Sequence, residues 1–218
     1  GPWLIREGQG AGSRVSAATA KIPGTLDDLP LAEQAMRDLG QVPLFMVRAG
    51  EDTLDAALAD KGYAIKDPVT AYTAPIDAVA TYRPPPVTCF EVWPPLAVQE
   101  DIWADGGIGP ARIAVMHRVT GPRTTILGRM DDTPAGCLFA AIHETTVTVH
   151  AVETAARFRR KGLAAHMMRA AAFWGRDNGA QDFALVTTVA NGAANALYAS
   201  LGMVAAAGYH YRIQPETP

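Results

Sequence analysis

The 218-residue sequence is poor in cysteine and in charge, and it has no apolar run of the ~18 residues that a membrane helix needs. Its two cysteines, Cys89 and Cys137, lack metal-ligand spacing and sit in strand-like apolar runs, so both read as free, buried thiols and not as a zinc site or disulfide framework. No charged-then-apolar segment opens the chain, and the expectation is a soluble cytoplasmic protein with no membrane partner. Only 19% of residues are charged and the formal net charge is -3, which argues against a broad nucleic-acid surface and for no nucleic-acid partner. The glycines of Gly8-Gln-Gly-Ala-Gly12 are not followed by a helix with a Lys-Ser/Thr signature. A phosphate loop is therefore disfavoured there, and a flexible hairpin between strands Trp3–Arg6 and Arg14–Ala18 is expected.

Apolar residues are plentiful, at 49%, and the length allows one large core or two small ones. Charge is concentrated locally. From Ala151 to Met168 an apolar strand runs into Arg157, Arg159, Arg160 and Lys161 around Gly162, and then into an alanine-rich helix. The first turn of a helix has N–H groups without intrahelical partners and the positive end of the macrodipole, so it holds anions. Gly162 permits close backbone approach, Ala164 keeps the next position small, and the expected guest is a pyrophosphate.

Periodicity organises the rest. Leu31, Ala35, Met36 and Leu39 mark a helix stopped at Gly40, Leu44–Val47 a strand, Asp52 to Lys61 a helix stopped at Gly62, and Val69–Thr73 a strand. Consecutive prolines at Pro84–Pro86 set the candidate boundary between an N-terminal lobe, 1–83, and a larger domain, 87–218. The domain reads as strand Val87–Val92, helices Pro95–Ala104 and Ala111–Val119, strands Thr124–Arg129, Gly136–Ile142 and Thr145–Glu153, the helix after Gly162, strand Phe183–Thr187, helix Ala193–Leu201 and strand Tyr209–Ile213. That order is α+β around one mixed sheet. Glycine stops at similar separations in the two parts raise an internal repeat, with coincidence as the alternative.

Arg159-Arg-Lys-Gly162-Leu-Ala164, with an apolar strand ahead and Phe158 at the usual aromatic position, resembles the acetyl-CoA signature of the GNAT superfamily of N-acetyltransferases. Asn191, Ala194, Leu197, Tyr198, Leu201 and Gly202 resemble that family's second signature, with Met203 in place of its aromatic residue. The resemblance covers about residues 87–218. It implies a GNAT-like mixed, mostly antiparallel sheet flanked by helices, to which the N-terminal lobe is a smaller α/β addition expected to help form the acceptor site; if the internal repeat is real, that lobe is a degenerate GNAT-like half.

The resemblance also implies acetyl-CoA as co-substrate, with Arg159, Arg160, Lys161, Gly162, Leu163 and Ala164 around its pyrophosphate, and Val152, Glu153 and Thr154 offering a strand edge to pantetheine. Asn191 and Ala194 belong to the same cofactor-binding set, though an asparagine there serves equally as a helix cap. Tyr198 stands at the position of the family's general acid and is expected both to act on the leaving thiolate and to contact the cofactor; the plainer reading is a packed ring. Thr148 stands where some members have a glutamate base. Regular alternation would put Thr148, His150, Val152 and Thr154 on one face and Glu153 on the other, unless a bulge changes the phase. His150 becomes the candidate base, against a satisfied buried histidine. The function implied is acetyl transfer to a primary amine, in a small molecule or peptide, by direct transfer in a ternary complex. A non-catalytic CoA-binding sensor is the alternative, and the oligomeric state is open, a homodimer included.

Overall fold

The computed structural model describes residues 1–23 and 25–215. The chain divides into two compact units, one of residues 1–70, 188–191 and those from 207 onward, the other of 71–187 and 192–206. The Pro84–Pro86 run lies inside the second unit.

In the first unit, β1 (Trp3–Leu4), α1 (Ser13–Ser16) and β2 (Thr19–Ala20) precede α2 (Leu29–Asp38), β3 (Leu44–Arg48), α3 (Asp52–Asp60) and the start of β4 (Ala64–Pro75). The strand expected at Arg14–Ala18 is instead a single helical turn. Gly12, at φ 100°, redirects the chain, Ser16 Oγ donates to the Gly12 carbonyl at 3.0 Å, and the Ala17 N–H donates to Ser13 O at 2.9 Å. The strand β1 pairs with β2 in its place. Helices α2 and α3 stop at Gly40 and Gly62, both at positive φ, as the glycine stops require. The end of β10 (Val204–Ile213) pairs antiparallel with β3, Ile213 opposite Leu44. Met36, Phe45, Val47, Leu54, Leu58 and Tyr63 form this unit's core. Asp55 of α3 clamps β10: its carboxylate accepts from Arg212 Nε at 2.7 Å and Nη2 at 3.0 Å, and lies 2.7 Å from His210 Nε2.

In the second unit, α4 (Ile76–Val79), too short to show periodicity, leads to β5 (Cys89–Val92), α5 (Ala97–Asp105), α6 (Pro110–Arg118), β6 (Arg123–Met130), β7 (Thr133–His143), β8 (Thr146–Thr154), α7 (Leu163–Asp177), β9 (Asp182–Thr188) and α8 (Gly192–Ser200). Strands β5 to β8 pair antiparallel in chain order, and β9 joins β8 in parallel. The mixed, mostly antiparallel expectation therefore holds. Asp131 and Asp132, both at positive φ, make the two-residue turn between β6 and β7, a conformation that short acidic side chains tolerate.

Each face of this sheet buries a different set of helices. Leu163, Met167, Met168, Ala171 and Ala172 recur along one side of α7 and pack on Leu138, Ala140, Val147 and Val149. Fully burying a leucine or methionine contributes about 2 kcal/mol, so this one helix face dominates the core. The absence of a side chain at Gly175 lets α7 lie directly against Val147. On the other face, Ile102 and Trp103 of α5 and Met116 of α6 cover Cys137, Phe139 and Ala141. Cys137 is a buried free thiol as expected, whereas Cys89 is only partly buried.

Candidate active site

The parallel pairing of β8 and β9 runs from Thr146 opposite Asp182 to Val149 opposite Leu185 and goes no further, although both strands continue. Among the described residues, the β9-facing edge of β8 from Ala151 to Thr154 has no paired residue of β9 opposite it, while the other edge stays paired with β7. Backbone N–H and C=O groups on such an edge are a template for an extended amide-bearing ligand. The expected pantetheine edge, Val152, Glu153 and Thr154, lies on it.

The chain then turns through a 3-10 segment, Ala156–Phe158, and enters α7 at Gly162, whose φ of 87° and ψ of -7° lie in the left-handed region. A Cβ built on Gly162 would meet nothing within 4 Å, so the ground before the helix is open. The His166 N–H reaches back to the Gly162 carbonyl at 3.3 Å, which closes the first turn. The N–H groups ahead of it are the ones a helix leaves for an anion. Arg160, at φ 64°, Lys161 and Gly162 are exposed, Leu163 is buried beneath them, and Ala164 is half-buried. These residues fit a pyrophosphate. The four cations do not act alike. Arg159 donates from Nε to the Thr154 carbonyl at 2.9 Å and from Nη2 to Glu153 Oε1 at 3.0 Å, so it ties the turn to β8. Arg157 and Lys161 lie over the Phe158 ring, at 4.7 and 5.6 Å from its centroid.

A bulge in β8 corrects the expected facing. Phe139 pairs with His150 but Cys137 pairs with Glu153, so Leu138 stands opposite two residues, and Ala151 adopts a positive φ of 52°. Thr148 and His150 face the α5–α6 side with Ala141 and Phe139, and beyond the bulge Glu153, paired with Cys137, returns to that same face. Val152 packs on the α7 side instead. A left-handed alanine costs about 1–2 kcal/mol, and Trp103 Nε1 offsets this by donating to the Ala151 carbonyl at 2.8 Å. The Glu153 side chain is only 15% exposed and also accepts from the Thr154 N–H at 3.0 Å. It is seated on Gly106, where any Cβ would fall 2.5 Å from Glu153 Oε2. Trp103 and Gly106 had no chemical signal in the sequence, one being a core aromatic of α5 and the other a helix stop.

His150 is half-buried, its ring 6.3 Å from that of Phe139. Tyr198 of α8 is buried in the α7-side core, its ring 5.7 Å from Tyr72, and the Tyr72 hydroxyl donates to Asn195 Oδ1 at 3.0 Å. Burial pushes the Tyr198 phenol up to about 12. Ala194 is half-buried near the start of α8, and Asn191 is exposed just ahead of it, its N–H donating to the Thr188 carbonyl at 3.0 Å. The two catalytic candidates thus belong to opposite faces of the sheet.

An α+β sheet opened between two parallel strands, followed at once by a glycine-led helix start, defines the acyltransferase class. The acetyltransferase (GNAT) family model matches residues 81–203, more than half of the chain, and the chain belongs to that family. Solved structures share its fold at low identity. They include a conserved protein of unknown function from Staphylococcus epidermidis (14% identity, TM-score 0.72, covering 97% of this chain and 89% of that one). A GCN5-related N-acetyltransferase from Kribbella flavida is similar too (20%, 0.70, 93% and 82%). So is a tandem GNAT protein from the clavulanic acid biosynthesis pathway (13%, 0.65, 93% and 76%). Comparison with curated proteins finds no match. Among the described residues no helix is long and apolar enough to cross a membrane.

Proposed function

We propose that the protein is a cytoplasmic N-acetyltransferase that moves the acetyl group of acetyl-CoA directly to a primary amine in a ternary complex. The observation that carries this reading is the β8–β9 opening with the Ala151 bulge, placed immediately before the open turn at Gly162. Acetyl-CoA as substrate supplies an activated thioester, and the residues divide its recognition. The N–H groups of Arg159 to Ala164 take the pyrophosphate, with Arg160 and Lys161 adding charge, and Arg159 holds the turn in place. The edge Val152–Thr154 pairs with the pantetheine amides, and Asn191 and Ala194 complete the cofactor contacts at the start of α8. The N-terminal residues are proposed as a degenerate GNAT-like half, in the manner of a tandem arrangement.

In the transfer step His150 takes one proton from the acceptor ammonium, and the neutral amine so formed attacks the thioester carbonyl. N–H groups of the bulged strand face the carbonyl oxygen as it gains charge. Tyr198 gives its phenolic proton to the sulfur as the C–S bond breaks, and the second proton lost by the nitrogen passes to solvent, from which Tyr198 is reprotonated, leaving the amide and the CoA thiol. Burial disfavours a thiolate as it does a phenolate, so a buried phenol near 12 still has a basic sulfur to protonate. The alternative, a CoA-binding sensor without chemistry, draws on the core packing of Tyr198 and on Thr148 at the position of a family base.

The test is CoA-thiol release from acetyl-CoA with an amine panel, on the wild type and on Tyr198→Phe. Amine-dependent turnover that falls at least tenfold in Tyr198→Phe, with acetyl-CoA affinity unchanged, supports the proposal. Tight acetyl-CoA binding with no transfer to any amine selects the sensor, and full turnover in Tyr198→Phe removes Tyr198 from catalysis.

A further inference from the structure

Arg123, at the start of β6, is a half-buried cation whose requirements are incompletely met. Its Nε is buried without a hydrogen-bond partner, and its Nη1 reaches the Gly121 carbonyl only at 3.3 Å. Among the described residues no carboxylate lies within ion-pair distance of Arg123, as one does of Arg83, Arg129, Arg159 and Arg176 but not of every arginine in the unit. One face of its guanidinium is fixed on the Trp93 ring, 4.7 Å from the centroid. Trp93 in turn touches the exposed His117 of α6 and Phe139 of β7, at ring separations of 5.1 and 5.8 Å. A stacked guanidinium keeps its planar fork of donors fixed, which suits bidentate recognition of an oxyanion.

The register places this cation in line with the proposed chemistry. Arg123 pairs with Ala141, and Ala141 pairs with Thr148, so the three share the α5–α6 face in one row across the sheet. The next row holds Phe139 and His150. Ala141 contributes only a methyl, so no long side chain of β7 separates Arg123 from β8. Two strand spacings, about 10 Å, lie between them.

We propose that Arg123, stacked on Trp93, binds an anionic group of the acceptor, a carboxylate, while the amine end lies at His150. This rests on the acyl-transfer reading above and deepens it. The acceptor is then an amino acid or short peptide whose reacting amine is several bonds from its carboxylate. An α-amino acid, with the two groups adjacent, does not span the distance.

The experiment compares ω-amino acids with their own amides: glycine, 4-aminobutanoate, 6-aminohexanoate and 8-aminooctanoate. Turnover is read in the intact protein with acetyl-CoA, and equilibrium binding is read with 6-acetamidohexanoate and its amide. Wild type is expected to prefer the acid by about tenfold in the long members and not in glycine. Arg123→Gln is expected to abolish the preference by raising KM for the acids alone, and Arg123→Lys to restore part of it. Equal affinity of wild type for 6-acetamidohexanoate and its amide overturns the proposal, as does a preference that Arg123→Gln leaves intact. If the transfer reading fails instead, no amine releases CoA, and the binding comparison still decides the anion site. Should Arg123→Gln fail to fold, wild type and Arg123→Lys carry the decision.

Discussion

Replacing Gly162 by glutamate separates the anion site from the fold that presents it. The φ of 87° at Gly162 charges any side chain about 1–2 kcal/mol, and a built Cβ meets nothing within 4 Å, so no packing cost adds to that. For a chain of this size the melting temperature should drop by roughly 2–8 °C, equally for Gly162→Ala and Gly162→Glu. The charge then distinguishes the two. A carboxylate about 5 Å from one phosphate charge is opposed by about 1 kcal/mol in water and about 3 kcal/mol at an effective dielectric of 20. Taking about 2 kcal/mol, acetyl-CoA should bind Gly162→Glu about 30-fold more weakly than Gly162→Ala. Calorimetric titration at low salt measures this, and the ratio should shrink in about 1 M salt, where the screening length is about 3 Å. Equal affinity of the two variants at low salt would refute a pyrophosphate at this helix start.

Gly175→Ala should destabilise the protein by about 1–3 kcal/mol in urea unfolding, because the new methyl runs into Val147 Cγ2; adding Val147→Ala should recover part of the loss. Trp103→Phe deletes the donor to the Ala151 carbonyl, and should cost about 1 kcal/mol of stability and lower kcat more than it changes acetyl-CoA affinity, as measured by denaturation and steady-state kinetics. The Arg212 hydrogen bonds, followed by the His210 contact, hold the Asp55 carboxyl below its ordinary value of 3.8 against the opposing effect of burial. A depressed carboxyl stabilises the fold above the unfolded value and loses that contribution as pH falls through the folded one. Asp55→Asn should therefore cost about 1–2 kcal/mol at pH 7, a figure reduced because the side chain is 30% exposed, and urea midpoints of variant and wild type should converge as pH falls below 3.8 and through the depressed folded value.

The elements legible in the sequence were those whose signal is local. Gly40, Gly62, Gly179 and Gly202 all stop helices and all sit at positive φ, and the repeat of Leu163, Met167 and Ala171 marks the buried side of α7 without any knowledge of its partner. The single turn Ser13–Ser16 gives no helical signal because four residues cannot show a period, and its formation depends on the conformation of Gly12. The glycine-led helix start at Gly162 is legible for the same local reason, since a cation cluster beside a glycine needs no tertiary information. What lay beyond reach was the division of labour within that cluster: Arg159 is committed to Glu153 and the Thr154 carbonyl, a pairing that exists only once β8 and the turn have folded against each other.

The facing of β8 depends on information that is not local. Side chains of a strand alternate with period two, so one inserted residue exchanges the faces of everything after it. Nothing in Val149-His-Ala-Val-Glu153 announces the insertion. It is held by Trp103, far away in the chain on α5, through a hydrogen bond to Ala151. The consequence is functional. With the bulge, Glu153 shares the face of His150 and its carboxylate meets Gly106 and Arg159, linking the loop after α5 to the anion-binding turn. One carboxylate thus touches both the loop after α5 and the arginine that ties the Gly162 turn to β8.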